Sequence, residues 1–142
     1  MKKSDEQDVE FSNAGLFPSL VPDGDQYQVS FVRAERGYVC GDEKVFLHFK
    51  LQTPGPWFGE TFFMSCKVAR GGKWTPGSKF FTQWVLANGK QPMRHDRMST
   101  KVFRNKIFRA RFVTVKSTVD QKDRDHTLRY SVIKELIECL VS

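Results

Sequence analysis

Val45-Phe46-Leu47-His48-Phe49-Lys50-Leu51 alternates at the two-residue period of a β-strand, placing Val45, Leu47, Phe49 and Leu51 on one face and Phe46, His48 and Lys50 on the other. Thr61-Phe62-Phe63-Met64-Ser65-Cys66-Lys67-Val68 repeats the pattern, with Phe62, Met64, Cys66 and Val68 on one face and Thr61, Phe63, Ser65 and Lys67 opposite. Between them Pro54-Gly55-Pro56 cannot continue a central strand, because proline lacks the ladder donor, so the chain turns there and presents Trp57 and Phe58. Two neighbouring strands with apolar inner faces predict a sheet whose outer face mixes rings and lysines.

On the N-terminal side, Pro22-Asp23-Gly24 signals a turn, and Tyr27, Val29 and Phe31 alternate with Gln28, Ser30 and Val32 as a first strand. Gly37 to Glu43 reads as the turn into the second. Residues 1–13 are polar and acidic, with Asp5, Glu6, Asp8 and Glu10, and read as a disordered lead-in to a single domain over 14–142.

On the C-terminal side, Gly71 to Gly77 forms a loop, and Ser78 is the N-cap of a helix running to about Ala87 and ended by Asn88-Gly89. Phe80, Phe81, Trp84 and Val85 recur at helical spacing, the pattern of a face packed on a sheet. Residues 90–101 form a basic exposed connection. Val102-Phe103, a turn at Arg104-Asn105 and Lys106 to Val115 suggest a short hairpin leading into a strand with Phe108, Ala110 and Phe112 inward and Arg109 and Arg111 outward. Beyond a charged turn at 120–125, Leu128, Tyr130 and Val132 alternate as a last strand. Val132, Ile133, Leu136, Ile137, Leu140 and Val141 then recur at helical spacing and predict a short amphipathic C-terminal helix.

At 142 residues the chain has the size of one domain that builds its core without disulfides or a structural metal. Cys40, Cys66 and Cys139 are odd in number and widely spaced, without a Cys-x-x-Cys pair, which argues against a zinc site and fits a reducing, cytoplasmic setting. No apolar run approaches the length of a membrane span, and the N-terminus lacks the apolar core of a signal peptide.

The net charge of +7 is unevenly spread. Residues 61–116 carry 13 Lys/Arg against Asp96 alone, a net +12, while 1–60 are net −4 and 117–142 net −1. Single-stranded nucleic acid needs cations for phosphates and flat rings for bases. Candidate phosphate contacts are Lys50, Lys67, Arg70, Lys73, Arg94, Arg97, Arg104, Lys106, Arg109 and Arg111, and candidate stacking rings are Phe46, Trp57, Phe63 and Trp74. A solvated basic face, with Phe46 and Phe63 covered by a second layer, is the competing reading.

Enzymatic signatures are weak. The basic block has one carboxylate where a metal-dependent nuclease needs several, so no metal and no cofactor is expected. His95-Asp96 and His48 have no nucleophile or second ligand at a meaningful spacing, and Gly71-Gly72-Lys73 lacks the form of a phosphate-binding loop. A processing enzyme using Glu35, Asp42 or Glu43 ranks behind a non-enzymatic binder.

The element order, with one helix inserted between the third and fourth strands, suits a mostly β, five-stranded, OB-fold-like barrel with a short C-terminal helix. Val21-Pro22-Asp23-Gly24 before Tyr27-x-Val29, strands ending in Phe58-Gly59-Glu60, the helix from Trp84 through Gly89, and Phe103-x-Asn105-Lys106-x-Phe108 carry a resemblance over roughly Leu20 to Val115. In these the chain resembles the single-stranded DNA-binding OB-fold proteins of phages and mobile elements. The resemblance implies sequence-independent binding of single strands, DNA ahead of RNA, in replication or recombination of a mobile element. The final Ile137-Glu138-Cys139-Leu140-Val141-Ser142 departs from the acidic, partner-recruiting tail common in bacterial-type single-strand binders. The alternative is a protein-interaction module that meets an acidic partner through its basic face and forms a homo-oligomer through the C-terminal helix.

Overall fold

A computed structural model describes residues 20–39, 41–68, 77–94, 97–116 and 129–142. The lead-in at 1–13, Cys40, the loop from Gly71, His95-Asp96 and the turn at 120–125 lie outside them. The elements are β1 (Gly24–Val39), β2 (Asp42–Leu51), β3 (Thr61–Lys67), α1 (Lys79–Asn88), a 3-10 turn at Thr100–Phe103, β4 (Ile107–Val115) and β5 (Tyr130–Val141). The strands form one antiparallel sheet in the order β3-β2-β1-β4-β5. Its outer strands approach each other, with the rings of Phe63 on β3 and Tyr130 on β5 6.2 Å apart. Among the described residues no ladder joins them, so the sheet is curled rather than closed.

The alternation of β2 and β3 holds: Val45, Leu47, Phe49, Leu51, Phe62, Met64 and Cys66 are buried, as are Phe108, Ala110 and Phe112 on β4. β1 is longer than its alternation suggests, because Val32 is an extra residue between the pairs Phe31↔Phe49 and Arg33↔His48. This bulge switches the faces, and the strand continues to Val39.

The C-terminal segment is not a helix. Residues 130–141 are β5, paired along its length with β4. The pairs Phe112↔Ile133, Arg111↔Glu135, Ala110↔Leu136, Arg109↔Glu138, Phe108↔Cys139 and Ile107↔Val141 skip Lys134, Ile137 and Leu140 in turn. Three bulges therefore bring Ile133, Leu136 and Cys139 inward at intervals of three, a spacing that imitates a helix in the sequence. The bulged backbone also needs outside partners, and the Leu136 N–H donates to the buried Gln83 Oε1 of α1 at 2.5 Å.

Helix α1 begins and ends as its sequence directs. Ser78 Oγ accepts from Phe81 N at 3.2 Å, and Gly89, at φ +82°, donates its N–H to Val85 O at 2.8 Å. Ser78→Ala leaves one helix-terminal donor without its cap, so it is expected to lower stability by about 1 kcal/mol in urea unfolding. Phe80, Trp84 and Ala87 bury α1 against the inner face of the sheet. Thr100–Phe103 forms a 3-10 turn rather than a hairpin, with the buried Phe103 entering the same core. None of the described helices is long and apolar enough to cross a membrane.

Candidate nucleic-acid interface

On the outer face of β2 and β3, Lys44, Phe46, His48 and Lys50 stand beside Lys67, Ser65, Phe63 and Thr61 in ladder register. The rings of Phe46 and Phe63 meet edge to face, with centroids 5.5 Å apart and planes at 81°. Both are partly exposed. Gly37 of β1 makes room for this arrangement: a Cβ there would lie 3.0 Å from the Phe46 ring. His48 packs 6.2 Å from Phe63, centroid to centroid, and its Nε2 lies 2.7 Å from Glu35 Oε1 without good hydrogen-bond geometry. With Tyr130 6.2 Å from Phe63, the rings of β2, β3 and β5 form a continuous strip.

Lysines bracket the strip. Lys44 and Lys67 are directly opposite each other in the ladder, and Lys50 is exposed at the other end. Among the described residues none of the three has a carboxylate partner within ion-pair distance. Like charges placed directly opposite on a sheet repel. An anion between Lys44 and Lys67 turns that repulsion into attraction.

Arg109 and Arg111 project outward as expected but are already engaged. Arg109 Nε donates to Glu138 Oε1 at 2.8 Å and its NH1 donates to Asp25 O at 3.1 Å. Arg111 lies 3.0 Å from Glu135 and 3.7 Å from Asp25. These acids stand opposite because the β5 bulges keep Glu135 and Glu138 on the outer face.

The other expected contacts are dispersed. Trp57 packs against the core, and the turn exposes Phe58 instead, at 58%. Arg94, Arg97 and Arg104 are exposed on the segment after α1, while Lys106 Nζ donates to Ala87 O at 2.6 Å and caps the helix end. Arg70, Lys73 and Trp74 lie outside the described residues. The sequence reading missed Lys44 and Tyr130, although Lys44 shares the period of Phe46 and Tyr130 that of Val132. Tyr38, 74% exposed near the end of β1, was hidden inside the supposed turn.

Thiol chemistry has no support at Cys66: burial in the core pushes its pKa up to about 11 against the opposing pull of Lys79. Among the described residues no three His, Cys, Asp or Glu side chains group to hold a metal ion. Comparison with protein-family models, with curated proteins and with solved structures finds no match to this chain.

Proposed function

We propose that the outer face of β2 and β3 binds single-stranded nucleic acid, DNA ahead of RNA, without catalysis and with little dependence on sequence. The observation that carries this reading is the partly exposed Phe46–Phe63 ring pair set between Lys50 and the opposed Lys44 and Lys67. Rings supply stacking surfaces that any base can use, and lysines follow the backbone. In this reading the sheet is an OB-type barrel left open between β3 and β5: the strand order, with a helix between β3 and β4, suits it, and such folds bind oligonucleotides on the face of strands 2 and 3. Replication or recombination of a mobile element is the setting that accompanies the resemblance.

Fluorescence anisotropy with labelled oligo-dT, a duplex and an RNA strand at several salt concentrations tests it. Oligo-dT is expected to bind best, with a log–log salt slope of about −2 from the three platform lysines, at about −0.7 per phosphate neutralised. Changing Arg109 and Arg111 together to Ala is expected to alter affinity less than about fivefold, because their guanidiniums are occupied by exposed ion pairs on β5 and β1. A salt-independent complex, or duplex bound as tightly as single strand, contradicts the proposal.

A further inference from the structure

The most cation-rich segment does not share a face with the aromatic platform. Residues 90–106 hold Lys90, Arg94, Arg97, Lys101, Arg104 and Lys106 against one acid, Asp96. The segment is fastened to the inner-face side: Trp84 Nε1 of α1 donates to Ser99 O at 2.9 Å, and Phe103 is buried among Phe31, Phe49, Phe80 and Phe108. Phe46 and Phe63 stand on the outer face of the same sheet. The sheet therefore lies between the platform and this segment.

Between the end of α1 and the segment is an open groove of about 470 Å³, whose walls include Trp84, Asn88, Pro92 and Met93, with Lys90 and Arg97 among its lining cations. Met93 is 99% exposed, an apolar side chain held out in the middle of a basic patch. The C-terminal end of a helix ordinarily repels anions, because its last carbonyls face outward. Here that field is offset locally, since Lys106 Nζ binds Ala87 O and Gly89 N–H binds Val85 O. Among the described residues no carboxylate lies within ion-pair distance of Lys90, Arg97, Lys101 or Arg104.

We infer that this groove is a second site for single-stranded nucleic acid: Lys90 and Arg97, which line it, take phosphates, the exposed Lys101 and Arg104 further along the same segment extend the cationic track, and Met93 with the exposed edge of the groove meets a sugar or base. The inference rests on the platform reading, and it adds that one chain holds two strands at once, on opposite sides of its sheet. A protein so built brings single strands together, the step that precedes annealing.

The test is stoichiometry by native mass spectrometry, which counts chains and strands separately, using oligo-dT of about ten nucleotides, within the range one such domain covers. Wild type is expected to saturate at two strands per chain. Changing Arg97, Lys101 and Arg104 together to Gln is expected to leave one strand per chain, with the first affinity within about threefold. A Phe46→Leu, Phe63→Leu variant retains the groove-bound strand and loses the other. Saturation of wild type at one strand, or equal weakening of both events in the Gln variant, overturns the second site and leaves the platform standing. If wild type binds no strand, both fall.

Discussion

Replacing Phe46 and Phe63 together by alanine is expected to weaken oligo-dT binding by about 2–6 kcal/mol, at least about thirtyfold, because each stacked base is worth about 1–3 kcal/mol. No other change on the outer face should have so large an effect. A lysine there makes one screened phosphate contact, whereas each ring offers a base a whole apolar face. The two rings also support each other through their edge-to-face contact at 5.5 Å, so alanine at both positions removes that contact from the free protein too. Leucine at both positions separates the effects: it keeps apolar cover over Gly37 and its neighbours but has no π face. The expected result is a Leu variant that melts near wild type and binds nearly as poorly as the Ala variant. Leu binding like wild type would mean that these rings are structural, and the platform reading would fail.

What could be read from the sequence, and what could not, follows from how local the signal is. The faces of β2 and β3 and both caps of α1 were legible, since strict alternation, a serine before an apolar turn and a glycine at positive φ act within a few residues. β5 was misread because its register depends on β4: bulges at Lys134, Ile137 and Leu140 are invisible until Arg109 and Arg111 choose Glu138 and Glu135. The same pairing engages two of the candidate phosphate contacts in ion pairs. Charge density by sequence window counted them as surplus cations, while Glu138 and Glu135 sit 29 and 24 residues downstream of Arg109 and Arg111. The opposed Lys44 and Lys67 show the converse, a local excess that appears only when β2 and β3 are laid side by side.

Charge is thus sorted by strand. On β4 and β5 basic and acidic side chains alternate across the ladder and hold the sheet together, though each exposed pair adds little. On β2 and β3 the outer face keeps lysines with no acid opposite. The outer β4–β5 surface pairs its charges internally, whereas the outer β2–β3 surface leaves its lysines without an acid across the ladder. The rings follow the same division, since Phe108 and Phe112 are buried while Phe46 and Phe63 stay accessible.

Phe103→Ala is expected to cost about 3–5 kcal/mol of stability, a large part of the roughly 5–15 kcal/mol that holds a domain folded. The residue belongs to a single 3-10 turn with little stability of its own, yet its ring is fully buried and touches four others. The centroids of Phe31, Phe49, Phe80 and Phe108 lie 5.7, 6.2, 6.4 and 6.1 Å away. Those partners come from β1, β2, α1 and β4, so one ring joins the helix to three strands. Its removal leaves a cavity that no single element can collapse to fill, which places the cost at the upper end of the range. Phe58→Ala, by contrast, removes an exposed ring from a turn and should change stability by no more than about 0.5 kcal/mol. Urea unfolding of both variants checks the core assignment, and similar midpoints for the two would refute it. Phe103→Leu adds a functional consequence. It should fold at a smaller cost, typically below about 1.5 kcal/mol for a swap that nearly conserves volume. Because Phe103 and the Trp84–Ser99 hydrogen bond anchor the basic segment, loosening the ring should weaken the groove-bound strand and spare the one on Phe46 and Phe63.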